Sequence, residues 1–268
     1  MFINGCFEGG GIKGLVYVGA IKFLEERGYK FFKVCGTSVG SLFAALISVG
    51  YTADEICDCI NEIDYRLIAN KNNIKDGIKN IGVYNIDSLE RKVYELLEAK
   101  GKTRFIDVKY GNDYLLKIVA AEMKTKQMVI IPDDLPKFGY SKDDFLISKA
   151  VAMSCSIPLV FNRYRLSNYI FVDGGVVNNF PIELVINDKF PIIGFRLNEE
   201  RDDSRNYLIK LRNKIFKINR SFKTENINII YFDSLLIRAS QFKKGLDNRD
   251  RLYKIGYETT KKFFHANI

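Results

Sequence analysis

The feature that most narrows the fold is a strand–glycine–helix junction that occurs twice in the first 41 residues. "FINGCF" (2–7) reads as a buried strand that runs through "EGGGIKG" into a helix from about Lys13 to Arg27. "FFKVCG" (31–36) repeats the pattern through "TSVGS" into "VGSLFAALISV", which is apolar almost all round and therefore buried. Strands that feed helices directly belong to βα units. The rest of the chain continues in that manner. "DYLLKIVAAEM", "KQMVIIP", "NYIFVDGG", "FPIIGFRL" and "INIIYF" read as strands. Capping-box starts at "TADE" (52–55) and at Asp87 with Glu90 open further helices, as does "SKDDFLISKAVAMS". "ANKNNIKDGIKNIG" (69–82) reads as a polar loop that could serve as a lid, and "RDRLYKIGYETTKKFFHA" as a final helix. The expected class is α/β, with a central mostly parallel sheet, in one domain over 1–268.

The first junction fits G-x-G-x-x-G at Gly9, Gly11 and Gly14. A dinucleotide site needs an acidic residue at the end of the next strand to hold a ribose, and "VCGTS" stands there instead. A phosphate loop needs Lys where Leu15 stands. Bare backbone N–H groups at a helix start remain as what these glycines supply. The second junction contains G-x-S-x-G as Gly36, Thr37, Ser38, Val39 and Gly40. In a strand–turn–helix setting this suits a nucleophile elbow, with Ser38 projecting beside a helix N-terminus. If the two strands are neighbours, both helix starts converge, one with a hydroxyl and one with amides. Acyl transfer through serine needs that pair.

The base for Ser38 is constrained by composition. The only histidine, His265, lies four residues from the end, and the α/β-hydrolase order would need several strands before the serine. A serine hydrolase lacking histidine uses Lys or a carboxylate. Asp173, in "FVDGGVVNNFP", closes an expected strand at the sheet edge where sites gather, although D-G is also a common turn dipeptide. Lys13, at a helix start, reads as solvated or bonded to a carboxylate such as Glu8.

The five cysteines form no C-x-x-C pair, so neither a metal nor a cofactor is expected, and their apolar settings suit reduced thiols in the cytoplasm. No signal peptide is apparent and no apolar run reaches membrane-spanning length. Residues 1–195 hold 24 basic and 23 acidic residues, whereas 196–268 hold 17 and 9. So basic a tail attracts anionic surfaces, membrane or nucleic acid, or simply forms a solvated face.

Taken together, these motifs resemble the patatin-like phospholipase family. "GGGIKG" (9–14) is similar to its glycine-rich oxyanion motif and "GTSVG" (36–40) to its nucleophile motif. "AMSCSIPLVF" (152–161) and "DGG" (173–175) resemble two further family segments, so the likeness spans residues 5 to about 197. The resemblance implies a three-layer α/β/α fold and a serine esterase with Ser38 as nucleophile and Asp173 as base. It implies an oxyanion hole from Gly9, Gly10 and Gly11, supported by Lys13, Gly14, Gly36, Gly40, Gly174 and Gly175. The implied substrate is membrane or micellar phospholipid or lysophospholipid. Peripheral attachment to an anionic membrane is expected through the basic part, 198–268, and nucleic acid is not expected as a partner. The alternative is a catalytically idle lipid- or protein-binding member of the same fold.

Overall fold

The computed structural model describes residues 1–62, 82–186, 189–197, 227–233, 237–239 and 241–267. The loop expected at 69–82 lies outside these residues apart from Gly82, and so does much of the basic tail. In chain order the elements are β1 (Phe2–Phe7), α1 (Val16–Glu26), β2 (Lys30–Thr37), α2 (Val39–Ser48), α3 (Ala53–Glu62), β3 (Gly82–Tyr84) and α4 (Ile86–Ala99). They continue as β4 (Lys109–Tyr110), β5 (Asp113–Tyr114), β6 (Leu116–Glu122), β7 (Gln127–Ile131), α5 (Ile147–Cys155), β8 (Leu159–Phe161), β9 (Tyr164–Leu166) and β10 (Tyr169–Asp173). β11 (Ile192–Leu197), β12 (Ile227–Phe232), α6 (Phe242–Asp247) and α7 (Arg249–Asn267) complete the series.

The main sheet runs β12-β11-β1-β2-β6-β10-β9, with β7 also on β6. β12, β11, β1, β2 and β6 are mutually parallel, β7 and β10 run antiparallel to β6, and β9 runs antiparallel to β10. The sheet is therefore mixed and mostly parallel, flanked by helices, as the α/β expectation holds. The largest core cluster gathers Ile3, Phe7, Tyr17, Phe43, Ile118 and Phe195 with residues of α1 to α5 and α7. On the other face Val119, Ala121 and Val172 pack under Val176 and Val177. Among the described residues that face is covered by short 3-10 turns, Gly174–Val176 and Ile182–Leu184. α7 packs on α1 through edge contacts of Phe23 with Tyr257 and tilted contacts with Phe264.

One feature of the pairing positions the site. β7 lies along Ile118–Glu122 of β6. β2 pairs with Leu116–Val119 of the same strand, and β10 with Ala120–Glu122. A strand has two hydrogen-bonding edges, so β2 and β10 share the one β7 leaves. They run toward each other along it and end at adjacent positions, Thr37 opposite Val119 and Asp173 opposite Ala120.

Local starts differ from the sequence reading in two helices. The capping box at Thr52 and Glu55 forms, each backbone N–H bonded to the other's side chain. α4 instead starts at Asn85, whose side chain accepts from the Asp87 N–H at 2.9 Å. α5 starts six residues after Ser141, because "SKDDF" spends its polar groups on turns and on Phe105 and Ile106 backbone N–H groups.

Candidate active site

Ser38 joins β2 to α2 with φ 54° and ψ −130°. A non-glycine residue at positive φ is strained and persists only where its surroundings hold it. The hold is visible. The Ser38 N–H donates to Ser154 Oγ at 2.8 Å, and that hydroxyl donates to the Val119 carbonyl at 2.6 Å. The Ser38 carbonyl accepts from the Ser41 N–H at 2.8 Å and from Ser41 Oγ at 2.6 Å. Backbone packs on backbone at both flanking glycines. A Cβ on Gly36 would lie 2.2 Å from the Gly40 carbonyl oxygen, and one on Gly40 would lie 2.2 Å from that of Phe7.

Asp173 is 1% exposed and stands where β10 meets the end of β2. The sequence reading placed it at the carboxyl end of a parallel strand. The correction is that β10 is antiparallel to β6, and a head-on approach to β2 brings the carboxylate beside Ser38. Oδ1 accepts from the Gly175 N–H at 2.7 Å, and buried Oδ2 has no aligned hydrogen bond. Burial raises the carboxyl from 3.8 to about 6, opposed by the Ser38 hydroxyl and the Gly175 N–H. The hydroxyl is thus near enough to act on the carboxylate without an aligned bond, a common state of unliganded sites. Gly174 packs against the Val119 carbonyl and Thr37, and Gly175 against Asn179.

The glycine-rich loop leaves β1 beside this pair. A Cβ on Gly9 would lie 3.1 Å from Ser38 Cβ. The Gly9 N–H, expected in an oxyanion set, is engaged elsewhere: it donates to the Asn179 carbonyl at 3.0 Å. Among the described residues no acceptor bonds the N–H of Gly10 or Gly11. Gly11 has φ +55°, and a Cβ there would lie 2.2 Å from the Ala239 carbonyl oxygen. Gly14 meets the Val39 side chain, which seats the loop on α2. Lys13 is 5% exposed, so its solvated reading fails. His265 is exposed in the last turn of α7 and does not line the cleft described next.

From Ser38 a cleft of about 940 Å³, counting space open to solvent, runs along α2. Val39, Leu42, Phe43 and Leu46 line it at helical spacing, and Ile56, Leu89, Phe161, Phe242 and Leu246 close around them. Among the described residues none of its lining side chains is charged. Apolar clefts with a polar group at one end suit ligands with one reactive end. Sequence reasoning missed Ser154, Asn179 and the cleft. Ser154 and Asn179 lie in segments quoted for other reasons, "AMSCSIPLVF" and "DGGVVNNFP", but no local pattern shows which hydroxyl or amide will face another chain segment.

Comparison with known proteins follows the same lines. A family model described as Patatin-like phospholipase matches residues 5–186. An uncharacterised Bacillus subtilis protein, YqhO, is 38% identical over 211 residues, 74% of this chain and 72% of that one. A probable lipid hydrolase, 463L, of Invertebrate iridescent virus 6 is 25% identical over 83% of this chain and 75% of its own length. The crystal structure of VipD from Legionella pneumophila superposes with TM-score 0.59 at 15% identity, covering 98% of this chain and 67% of that one. The last of these is a likeness of fold.

Proposed function

The chain belongs to the patatin-like phospholipase family, and from that premise we propose that it cleaves carboxylic esters of phospholipids or lysophospholipids through an acyl-enzyme on Ser38. The observation that carries the reading is the buried Asp173 carboxylate beside the strained Ser38 hydroxyl, raised to about 6 by desolvation. A carboxylate so placed is about a hundredfold more basic than an ordinary aspartate and still mostly ionised at pH 7.

In the first half-reaction Asp173 takes the Ser38 proton as Oγ bonds to the ester carbonyl carbon. The tetrahedral oxyanion is held by the N–H groups of Gly10 and Gly11. One such donor is worth about 3 kcal/mol of barrier. The C–O bond of the leaving alcohol then breaks, and Asp173 returns the proton to that oxygen. In the second half Asp173 takes a proton from water, the hydroxyl bonds to the acyl carbon, and Ser38 leaves with the proton. The products are a fatty acid and free enzyme. The acyl chain lies in the apolar cleft along α2, which holds it by burial of methylenes at about 0.8 kcal/mol each.

Attraction to an anionic lipid surface is part of the proposal. α6 sends Phe242 and Leu246 to the cleft while Lys243 and Lys244 are exposed between them, which puts basic charge at its rim. Binding to vesicles containing phosphatidylserine is expected to weaken from low to physiological salt. Salt-independent binding would remove this element.

The test is a panel of phospholipids and lysophospholipids with wild type, Ser38→Ala and Asp173→Asn, alongside labelling of Ser38 by a fluorophosphonate. Turnover by wild type alone is the expected result. No turnover and no labelling across lipid and salt conditions would assign the chain to the idle class.

A further inference from the structure

Asn179 holds the two peptides that meet at Gly9. Its carbonyl accepts the Gly9 N–H at 3.0 Å, and its Nδ2 donates to the Gly9 carbonyl at 3.0 Å. The same Nδ2 donates to Glu8 Oε1 at 3.2 Å. Glu8 is itself anchored: it is 1% exposed, its Oε2 accepts the Leu197 N–H at 2.8 Å, and Arg196 lies 3.7 Å from Oε1. The amide oxygen Oδ1 sits between the two other turns of the site. A Cβ on Gly9 would lie 2.5 Å from it and one on Gly175 2.8 Å from it. The preceding residue ties in the third turn, since Thr37 Oγ1 donates to the Asn178 carbonyl at 2.8 Å. Two consecutive residues thereby bond to the residue before Ser38 and to the loop before Gly10, and pack against the turn after Asp173.

We infer that Asn179 is a positioning residue for the oxyanion loop. By fixing the peptide before Gly9 through its N–H and the peptide after it through the Gly9 carbonyl, it sets the direction of the Gly10 N–H, which shares that second peptide, and of the Gly11 N–H one peptide further on. Donors aimed before the reaction need no reorganisation when charge develops, and a misplacement of about 1 Å removes much of their effect. The chemistry at 179 is specific. Nδ2 faces a carbonyl oxygen and a carboxylate, so the position requires a donor. Aspartate has the same shape but sets an oxygen against both acceptors. The inference rests on the function proposed above for Ser38, and it makes a structural claim that stands apart from turnover.

The experiment compares wild type, Asn179→Ala and Asn179→Asp in three readouts: hydrolysis of a p-nitrophenyl acyl ester, the rate of Ser38 modification by a fluorophosphonate, and amide hydrogen exchange of the segment 8–15. Circular dichroism selects the variants that are folded. In a folded variant kcat and the modification rate are expected to fall 30- to 300-fold with KM changed less than threefold, because an oxyanion contact acts on the transition state. The acid limb of the pH profile stays where it is in wild type, as Asp173 is not altered. Exchange of the Gly9 segment accelerates at least tenfold while that of α2 is unchanged, and the aspartate variant shows the larger effects. A folded variant with kcat within threefold of wild type, a loss confined to KM, or an unchanged exchange rate at 8–15 overturns the inference. Failure of wild type to react with either reagent overturns the proposed function instead, and the exchange measurement then decides the clamp alone.

Discussion

Ser38 follows the last residue of β2 at φ 54°, whereas Asp173 closes β10 at φ −47° and ψ 131°, angles that any residue adopts. The two ends abut along one edge of β6, yet each residue departs from comfort in a different way. At the serine the departure is in the backbone, and it is held by close contacts at the flanking glycines, by Ser41 three residues on and by Ser154 from α5. At the aspartate it is in solvation, with a buried carboxylate oxygen left without an aligned partner. Backbone strain aims a hydroxyl without changing its acidity. Desolvation changes basicity without needing an unusual turn. A site that needs an aimed nucleophile and a strengthened base can draw one from each strand end.

The comparison is broken most severely by removing either partner's chemistry. Ser38→Ala and Asp173→Asn are each expected to lower turnover by at least ~1000-fold, about 4 kcal/mol of barrier, as measured by initial rates on the best lipid. The double variant should be no worse than the poorer single one, because the pair acts as a unit. Additive losses would mean that the two residues work separately.

Gly40→Ala tests the backbone packing of the serine's turn against the end of β1. Its Cβ would press into backbone rather than a movable side chain, so a destabilisation above ~3 kcal/mol is expected in denaturant unfolding. A loss under 1 kcal/mol would show that the elbow relaxes.

At the aspartate the sign reverses. The folded carboxyl titrates near 6 and its ordinary value is 3.8, so between those values the folded state binds more protons than the unfolded one. Stability therefore falls as pH rises through that window, and the full penalty is present above pH 6. Asp173→Asn removes the charge and is expected to stabilise the protein by about 1–3 kcal/mol at pH 7, with the advantage gone below pH 3.8. Equal unfolding midpoints at pH 7 would deny the desolvation. The smallest effect is that of Ser154→Ala, about 1–2 kcal/mol, from an unsatisfied Ser38 N–H in the folded state. Wild-type stability there would mean that the bond is replaced.

The same contrast explains what was legible in the sequence. The turn at Ser38 needs small residues immediately beside it, so Gly36 and Gly40 flank it in plain view, and the strand and helix next to them follow from apolar patterning, whereas Ser154, 116 residues away, leaves no local mark. The position of Asp173 depends on β10 meeting β2 end to end along β6, an approach of segments more than 130 residues apart that no local pattern records. Proximity was therefore expected for a parallel-sheet reason that does not apply. The Gly9 amide was misassigned because its partner, Asn179, is 170 residues away. Helix starts erred where a neighbour outcompeted the nearest capping residue, as Asn85 did with Asp87.

The most direct test of the central claim, that a buried Asp173 activates Ser38, is the pH dependence of Ser38 modification by a fluorophosphonate in wild type and Asp173→Asn. The wild-type rate should rise tenfold per unit below pH 6 and level off above it, and the variant should react at least ~1000-fold more slowly at pH 7. A wild-type midpoint near 4, or a variant that reacts as fast as wild type, would contradict it.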